Sequence, residues 1–155
     1  VFFANNQILF RSEHISFYTR LLEGNYPDTD RLIPTEFNTE ATFNVANLRF
    51  AMERARLLSN ATQNGTVKLE FKNGVVSSHV HSPEVGRVNE EIDTSAVSGE
   101  DLSISFNPTY LIEALKAIDS EQVVIRFISS VRPFTLVPEG NEQGFIQLIT
   151  PVRTN

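Results

Sequence analysis

One order of elements recurs twice along the chain: an alternating run, a stretch of helical period, then three more alternating runs. This repetition restricts the fold more than any other feature. In the first half, residues 37–43 make the opening strand. Val45, Leu48, Met52 and Ala55 then recur at helical spacing through Leu58, with Asn44 placed to cap the N-terminus. Val67, Leu69 and Phe71 alternate with Lys68, Glu70 and Lys72, Asn73-Gly74 turns the chain into residues 75–82, and residues 86–93 form a third strand. In the second half Leu102, Ile104 and Phe106 alternate. Asn107-Pro108 supplies an N-cap and a first-turn proline for a helix that carries Leu111, Leu115 and Ile118 inward. Residues 123–128, 134–137 and 145–150 complete the set. Two βαβββ units of this kind hold two amphipathic helices and eight strands, packed most economically with both helices side by side on one face of antiparallel sheet. The expected class is α+β, built by internal duplication.

The residues ahead of this repeat read differently. Residues 1–4 and 7–11 are β-rich runs separated by Asn5-Asn6, and Asn tolerates the positive φ of a two-residue hairpin turn. Ile15, Phe17, Thr19 and Leu21 alternate with Ser16, Tyr18 and Arg20, the period of a strand with one face buried. Turn residues from Gly24 to Asp28 end it, and the stretch to Pro34 has no period, as in an interdomain connector. The expected boundaries are strands of one domain over 1–27, a connector over 28–34 and a second domain over 35–155. The apolar start Val1-Phe2-Phe3-Ala4 has no initiator Met, and is expected to be a cut through a larger protein.

Charge and composition narrow the chemistry. With 13 Lys+Arg against 19 Asp+Glu the net charge is −6, which weakens a simple nucleic-acid reading because phosphate affinity rests on cations at close range. The charge is segregated, however. Residues 41–73 hold five basic and two acidic residues, a local +3, while residues 74–104 hold one basic against six acidic, a local −5, so different faces can differ in sign. Absence of cysteine excludes disulfides, thiolate metal sites and a Cys nucleophile. No apolar run reaches the ~18 residues of a membrane span, and a cytoplasmic location is expected.

Catalytic signals are sparse. His79 and His81 stand two apart on a strand, so their imidazoles share a face and could bind a metal with Glu84 as a third ligand; solvated strand residues are the simpler reading. Glu90, Glu91 and Asp93 sit in an acidic surface run. No phosphate loop, Gly-x-Ser-x-Gly elbow or His-Glu-x-x-His helix is present, so nothing argues for catalysis and no cofactor is expected. Most of the twelve Phe, including Phe17, Phe71, Phe106 and Phe127, fall on the inward phase of strands and are assigned to the core. On the helices, Arg49, Glu53 and Arg56, and Glu113 and Lys116, face away from the apolar stripes.

Four ordered segments resemble one family. Leu21-Leu22-Glu23-Gly24-Asn25-Tyr26-Pro27-Asp28 followed by Arg31-Leu32-Ile33-Pro34, then Ala55-Arg56-Leu57-Leu58-Ser59-Asn60, then Phe106-Asn107-Pro108-Thr109-Tyr110-Leu111, and the tail Leu148-Ile149-Thr150-Pro151-Val152-Arg153 are similar to the bacterial sliding clamp, the β subunit of DNA polymerase III. The tail is most like Gram-positive, streptococcal members. The resemblance implies a ring-shaped head-to-tail dimer around duplex DNA, with three similar domains per subunit, of which this chain would hold the last strands of the second and all of the third. It implies a non-catalytic processivity factor that tethers the polymerase III α subunit, the clamp loader and repair proteins through short peptides docked in a cleft. Carried over by motif, the cleft comprises Pro27, Arg31 and Leu32, Asn107 and Tyr110, Val131 and Pro133, and Leu148, Ile149, Thr150, Pro151, Val152 and Arg153. Leu57 and Leu58 would meet the neighbouring subunit, and Arg49, Arg56 and Lys116 would face DNA. Two departures stand out: the family site often has a small polar residue where Pro133 falls, and an aromatic near Gln63 or Asn64. The competing readings are a metal-dependent enzyme using His79 and His81, and an interaction domain unrelated to DNA.

Overall fold

A computed structural model describes the chain except for residues 27, 60–64, 83–85, 142–143 and 154–155, and gives only the backbone of residue 30. The chain divides into two units, Val1–Leu32 and Ile33–Asn155.

In the first unit, β1 (Phe2–Ala4), β2 (Gln7–Arg11) and β3 (Ser16–Arg20) form an antiparallel sheet in that order. The expected hairpin forms, with Ala4 opposite Gln7, yet Asn5 and Asn6 both keep negative φ, so the link is not the mirror-image turn the asparagines suggested. The expected burial of Phe17 also fails. Its ring lies 6.2 Å from that of Phe10, directly opposite, and it stays 59% exposed. The unit is a single layer of sheet, and alternation buries a face only where a second layer covers it. A 3-10 turn, Thr29–Arg31, follows.

The second unit runs β4 (Thr39–Asn44), α1 (Val45–Ser59), β5 (Val67–Lys72), β6 (Val75–Ser82), β7 (Gly86–Ile92), β8 (Ala96–Gly99), β9 (Leu102–Phe106), α2 (Pro108–Lys116), β10 (Gln122–Phe127), β11 (Phe134–Pro138) and β12 (Gln147–Ile149). Both caps form as expected: the Asn44 side chain accepts from the Asn47 amide at 3.1 Å, and that of Asn107 from Thr109 at 2.9 Å. Asn73 (φ 51°) and Gly74 (φ 78°) both take left-handed backbone, the turn that matches strand twist between β5 and β6.

The strands form two antiparallel sheets where one layer was expected, ordered β12-β11-β10-β4-β8 and β7-β6-β5-β9. Each half thus sends its opening strand into the other half's sheet: β4 pairs with β10, and β9 with β5. Phenylalanines bridge the two layers. Phe71 and Phe106 from one sheet meet Phe127 and Phe134 from the other, with ring centroids at 4.8 Å (Phe71–Phe127) and 5.1 Å (Phe106–Phe134). Leu48 and Met52 of α1 and Leu111 and Leu115 of α2 complete this core, and the two helices pack on each other.

Strand β8 was not foreseen. It pairs with β4, Thr39 opposite Gly99, and Gly99 (φ 99°) sits where an added Cβ would lie 2.0 Å from the Asn38 carbonyl oxygen. The backbone around it is tied in, with the Glu100 amide donating to Asn38 O at 3.0 Å and the Thr39 hydroxyl to Glu100 O at 2.7 Å. We expect Gly99→Ala to destabilise the unit by about 2–3 kcal/mol, lowering its melting temperature by roughly 5 to 10 °C. A calorimetric scan unchanged from the parent would show that Asn38 yields at no cost.

Candidate functional site

The capped start of α2 and the edge strand β12 enclose a groove. Asn107 fixes the helix entry, Pro108 occupies its first turn, and Tyr110, Glu113 and Ala114 then fall at the spacing of one helix face. Strand β12 lies at the end of its sheet, held by β11 through Phe134 opposite Ile149 and Leu136 opposite Gln147, so among the described residues its outer edge has no strand partner. Between them is a cavity of about 420 Å³ lined by Tyr110, Glu113, Ala114 and residues 147–150. Its walls combine apolar surface with a phenol that is 59% exposed, an amide and a carboxylate. The tail continues past the groove, and the Val152 amide donates to the Ser105 carbonyl of β9 at 2.7 Å, tying the chain end to the second sheet.

Of the residues named from the sequence, Tyr110, Leu148, Ile149 and Thr150 are brought together at this cavity. Asn107 stands at the helix start with its side-chain oxygen already committed to the cap. Val131 and Pro133 lie in the link between β10 and β11, Pro133 just ahead of the Phe134–Ile149 pair, and neither lines the cavity. Arg31 and Leu32 belong to the other unit; both are exposed, and Arg31 is ion-paired to Asp28 at 2.9 Å. Pro27, and Gln63 and Asn64 where the family aromatic was expected, lie outside the described residues. Glu113, Ala114 and Gln147 were missed, although three- and four-residue spacing from Tyr110 would have indicated the first two.

Glu113 also links the two helices electrically. Its carboxyl is held below the usual carboxylate range by a hydrogen bond from Lys116, 2.8 Å away, by that ammonium's charge, and by Arg56 on α1. On α1, the Arg49 guanidinium stands 3.8 Å from Glu53 and 5.3 Å from the Phe50 ring centroid. The cations named from the sequence, Arg49, Arg56 and Lys116, thus share their surroundings with two carboxylates, Glu53 and Glu113.

A second groove of about 260 Å³ separates α1 from β7, the edge of the four-stranded sheet; it is lined by Asn47, Phe50, Ala51, Arg54 and residues 90–93. Arg54 bridges it with an ion pair to Glu90, which raises the guanidinium pKa further. Leu57 and Leu58 part company beside it: Leu57 is 71% exposed, whereas Leu58 packs against the core. Phe50, half-exposed on the same side of the helix as Leu57, was not singled out from the sequence.

His79 hydrogen-bonds through both ring nitrogens, to the Ser77 hydroxyl at 2.9 Å and to Asn89 at 2.8 Å. Glu84 lies outside the described residues, and among those described no three His, Cys, Asp or Glu side chains come together as a metal site. The described helices include none long and apolar enough to cross a membrane.

Comparison with known proteins identifies the family. The family described as DNA polymerase III beta subunit, C-terminal domain, matches residues 30–153. The beta sliding clamp of Streptococcus pneumoniae is 79% identical over 155 residues, all of this chain and 41% of that protein. That of Lactococcus lactis is 56% identical over 157 residues, again 100% of this chain and 41% of the relative. Among solved structures, the DNA polymerase III beta chain of S. pneumoniae superposes with a TM-score of 0.91 at 80% identity, over 99% of this chain and 41% of that one. The Bacillus subtilis sliding clamp superposes with a TM-score of 0.87 at 38% identity, over 99% and 40%. The chain therefore spans about two fifths of the length of these relatives.

Proposed function

The chain belongs to the DNA polymerase III beta subunit family, and from that premise we propose that it serves as the peptide-docking part of a non-catalytic processivity clamp. The observation that carries this reading is the groove between α2 and β12, where an open strand edge, apolar wall and a few polar groups meet the needs of a short extended peptide. Tyr110, Leu148, Ile149 and Thr150 line it, and family resemblance adds Asn107, Val131, Pro133, Pro151, Val152 and Arg153 to the docking surface. Family resemblance alone assigns Pro27, Arg31 and Leu32 of the connector to peptide docking as well. The partners are the polymerase III α subunit, the clamp loader and other proteins carrying a motif with Gln and Leu or Phe anchors.

The domain reading follows the same family logic: residues 1–27 close a middle domain, 28–34 connect, and 35–155 form the third domain of two βαβββ units. The matched caps at Asn44 and Asn107 and the reciprocal placing of β4 and β9 support two related halves. A second subunit meets the α1 end at Leu57 and Leu58, beside the open edge of β7, in a head-to-tail contact. The closed ring holds duplex DNA topologically. Three cations offset by two carboxylates on the helices suit that role, because sliding needs weak attraction rather than tight phosphate contacts. The protein acts in the cytoplasm, where the chromosome is copied.

Titrating a neutral Gln-Leu-x-Leu-Phe peptide while following amide NMR shifts tests the groove. We expect shifts at Tyr110 and residues 147–153. Replacing one peptide anchor with Ala should weaken binding about tenfold to a hundredfold, the value of one buried side chain. Shifts confined to His79 and His81, with the tail silent, would remove the assignment.

A further inference from the structure

The outer face of the four-stranded sheet holds another cavity, of about 440 Å³, whose lining includes Lys68, His79, His81, Arg87, Asn89 and Ser105. Strand register assembles it. Lys68 stands opposite both His79 and Ser105, and His81 opposite Arg87, so two cations and two imidazoles project from one side of the sheet. Among the described residues no carboxylate lines the cavity. Glu70, one step along β5, stands 3.7 Å from the Lys68 ammonium and 3.4 Å from the His79 ring, while Arg87 has no acidic partner among the described residues. On a chain of net charge −6 this is a local reversal of sign.

Its position connects it to the docking groove. Ser105, which lines this cavity, accepts the Val152 amide through its carbonyl at 2.7 Å, and Val152 follows Thr150 of the docking groove by two residues. A segment leaving the docking groove along the tail meets the edge of β9 and then this basic surface. Among the described residues no Phe, Tyr or Trp lines it, so the large aromatic rings on which single-stranded nucleic acid usually stacks are missing there.

We propose that this cavity is an accessory subsite that receives acidic residues flanking the anchor motif of a docked peptide, with Lys68 and Arg87 as its charge-reading groups. The proposal rests on the peptide-docking reading above. It gives partner choice a second component: anchors decide whether a peptide binds, and flanking charge ranks those that do.

Fluorescence anisotropy on the chain with three peptides sharing one anchor core tests it, one flanked by Gln, one by about three Asp or Glu at its N-terminal end, and one by the same residues at its C-terminal end. At low ionic strength one acidic flank should tighten binding roughly fivefold, the scale of two exposed ion pairs, and the gain should vanish at high salt. The Lys68→Gln, Arg87→Gln double variant should lose that gain and bind the Gln-flanked peptide as the parent does. Failure of both acidic flanks to give a gain, or a gain that survives in the double variant, would overturn the subsite. Failure of the Gln-flanked peptide to bind would instead remove the docking groove, and the subsite with it. A single-stranded oligonucleotide that displaces the acidic-flank peptide from the parent but not from the double variant would assign the surface to nucleic acid and overturn the peptide reading.

Discussion

Phe127→Ala is expected to cost about 3–5 kcal/mol of stability, the usual range for a buried Phe truncated in a packed core. Phe127 is fully buried and touches two other rings, Phe71 in the facing sheet at 4.8 Å and Phe134 beside it at 5.1 Å. Removing it opens a void at the junction of both layers. Urea unfolding followed by far-UV circular dichroism should show a midpoint well below that of the parent with an unchanged slope. A shift worth under about 1 kcal/mol would mean that the sheets close over the gap and that the aromatic bridge is not what joins them. Because Phe134 pairs directly with Ile149, the same variant should also loosen the docking groove.

From the head-to-tail contact proposed above, Leu57→Ala is expected to weaken subunit association of the full-length protein by about tenfold to a hundredfold in dissociation constant, while leaving the fold untouched. Exposure separates the two leucines as probes. Leu57 is largely solvent-facing, so its truncation takes little from the domain, whereas Leu58 packs against the core and its loss mixes stability with assembly. Sedimentation velocity across a dilution series reads the effect directly. A variant that stays as tightly dimeric as the parent, with an unchanged melting temperature, would move the contact off this helix end. The open edge of β7 and the half-exposed Phe50 would then be the places to look.

The parts of the fold legible in the sequence are those where a local rule and the tertiary structure want the same thing. Asn73-Gly74 requires left-handed backbone at both positions and has it. Asn44 and Asn107 precede apolar helical periods and cap them. Illegible features depend on partners distant in sequence. Alternation in β3 looks the same with or without a covering layer, so Phe17 was assigned to a core it does not reach. Strand β8 is only four residues, Ala96-Val97-Ser98-Gly99, with Val97 its one large apolar side chain, and exists because β4 offers it an edge. The division into two sheets follows from which strand pairs with which, and periodicity carries no pairing information. In the groove, Tyr110 and the tail were visible as a motif, but Gln147 entered only because β12 runs along the end of its sheet.

The crossing of β4 and β9 between halves has a consequence for how such a domain can arise and fold. Each sheet takes three strands from one half and an opening strand from the other, with β8 added at the edge of the five-stranded sheet, so a single βαβββ segment cut out alone would leave its three-strand sheet without that opening strand and its own first strand without a sheet. It could complete itself only by exchanging that strand with a second copy, and the domain has the geometry of such a strand-swapped pair closed into one polypeptide. The pairing of Asn44 with Gln122 and of Val67 with Phe106 must then form across long stretches of chain before either core is sealed. Folding should therefore be a single slow event shared by both halves, with no stable half-domain on the way.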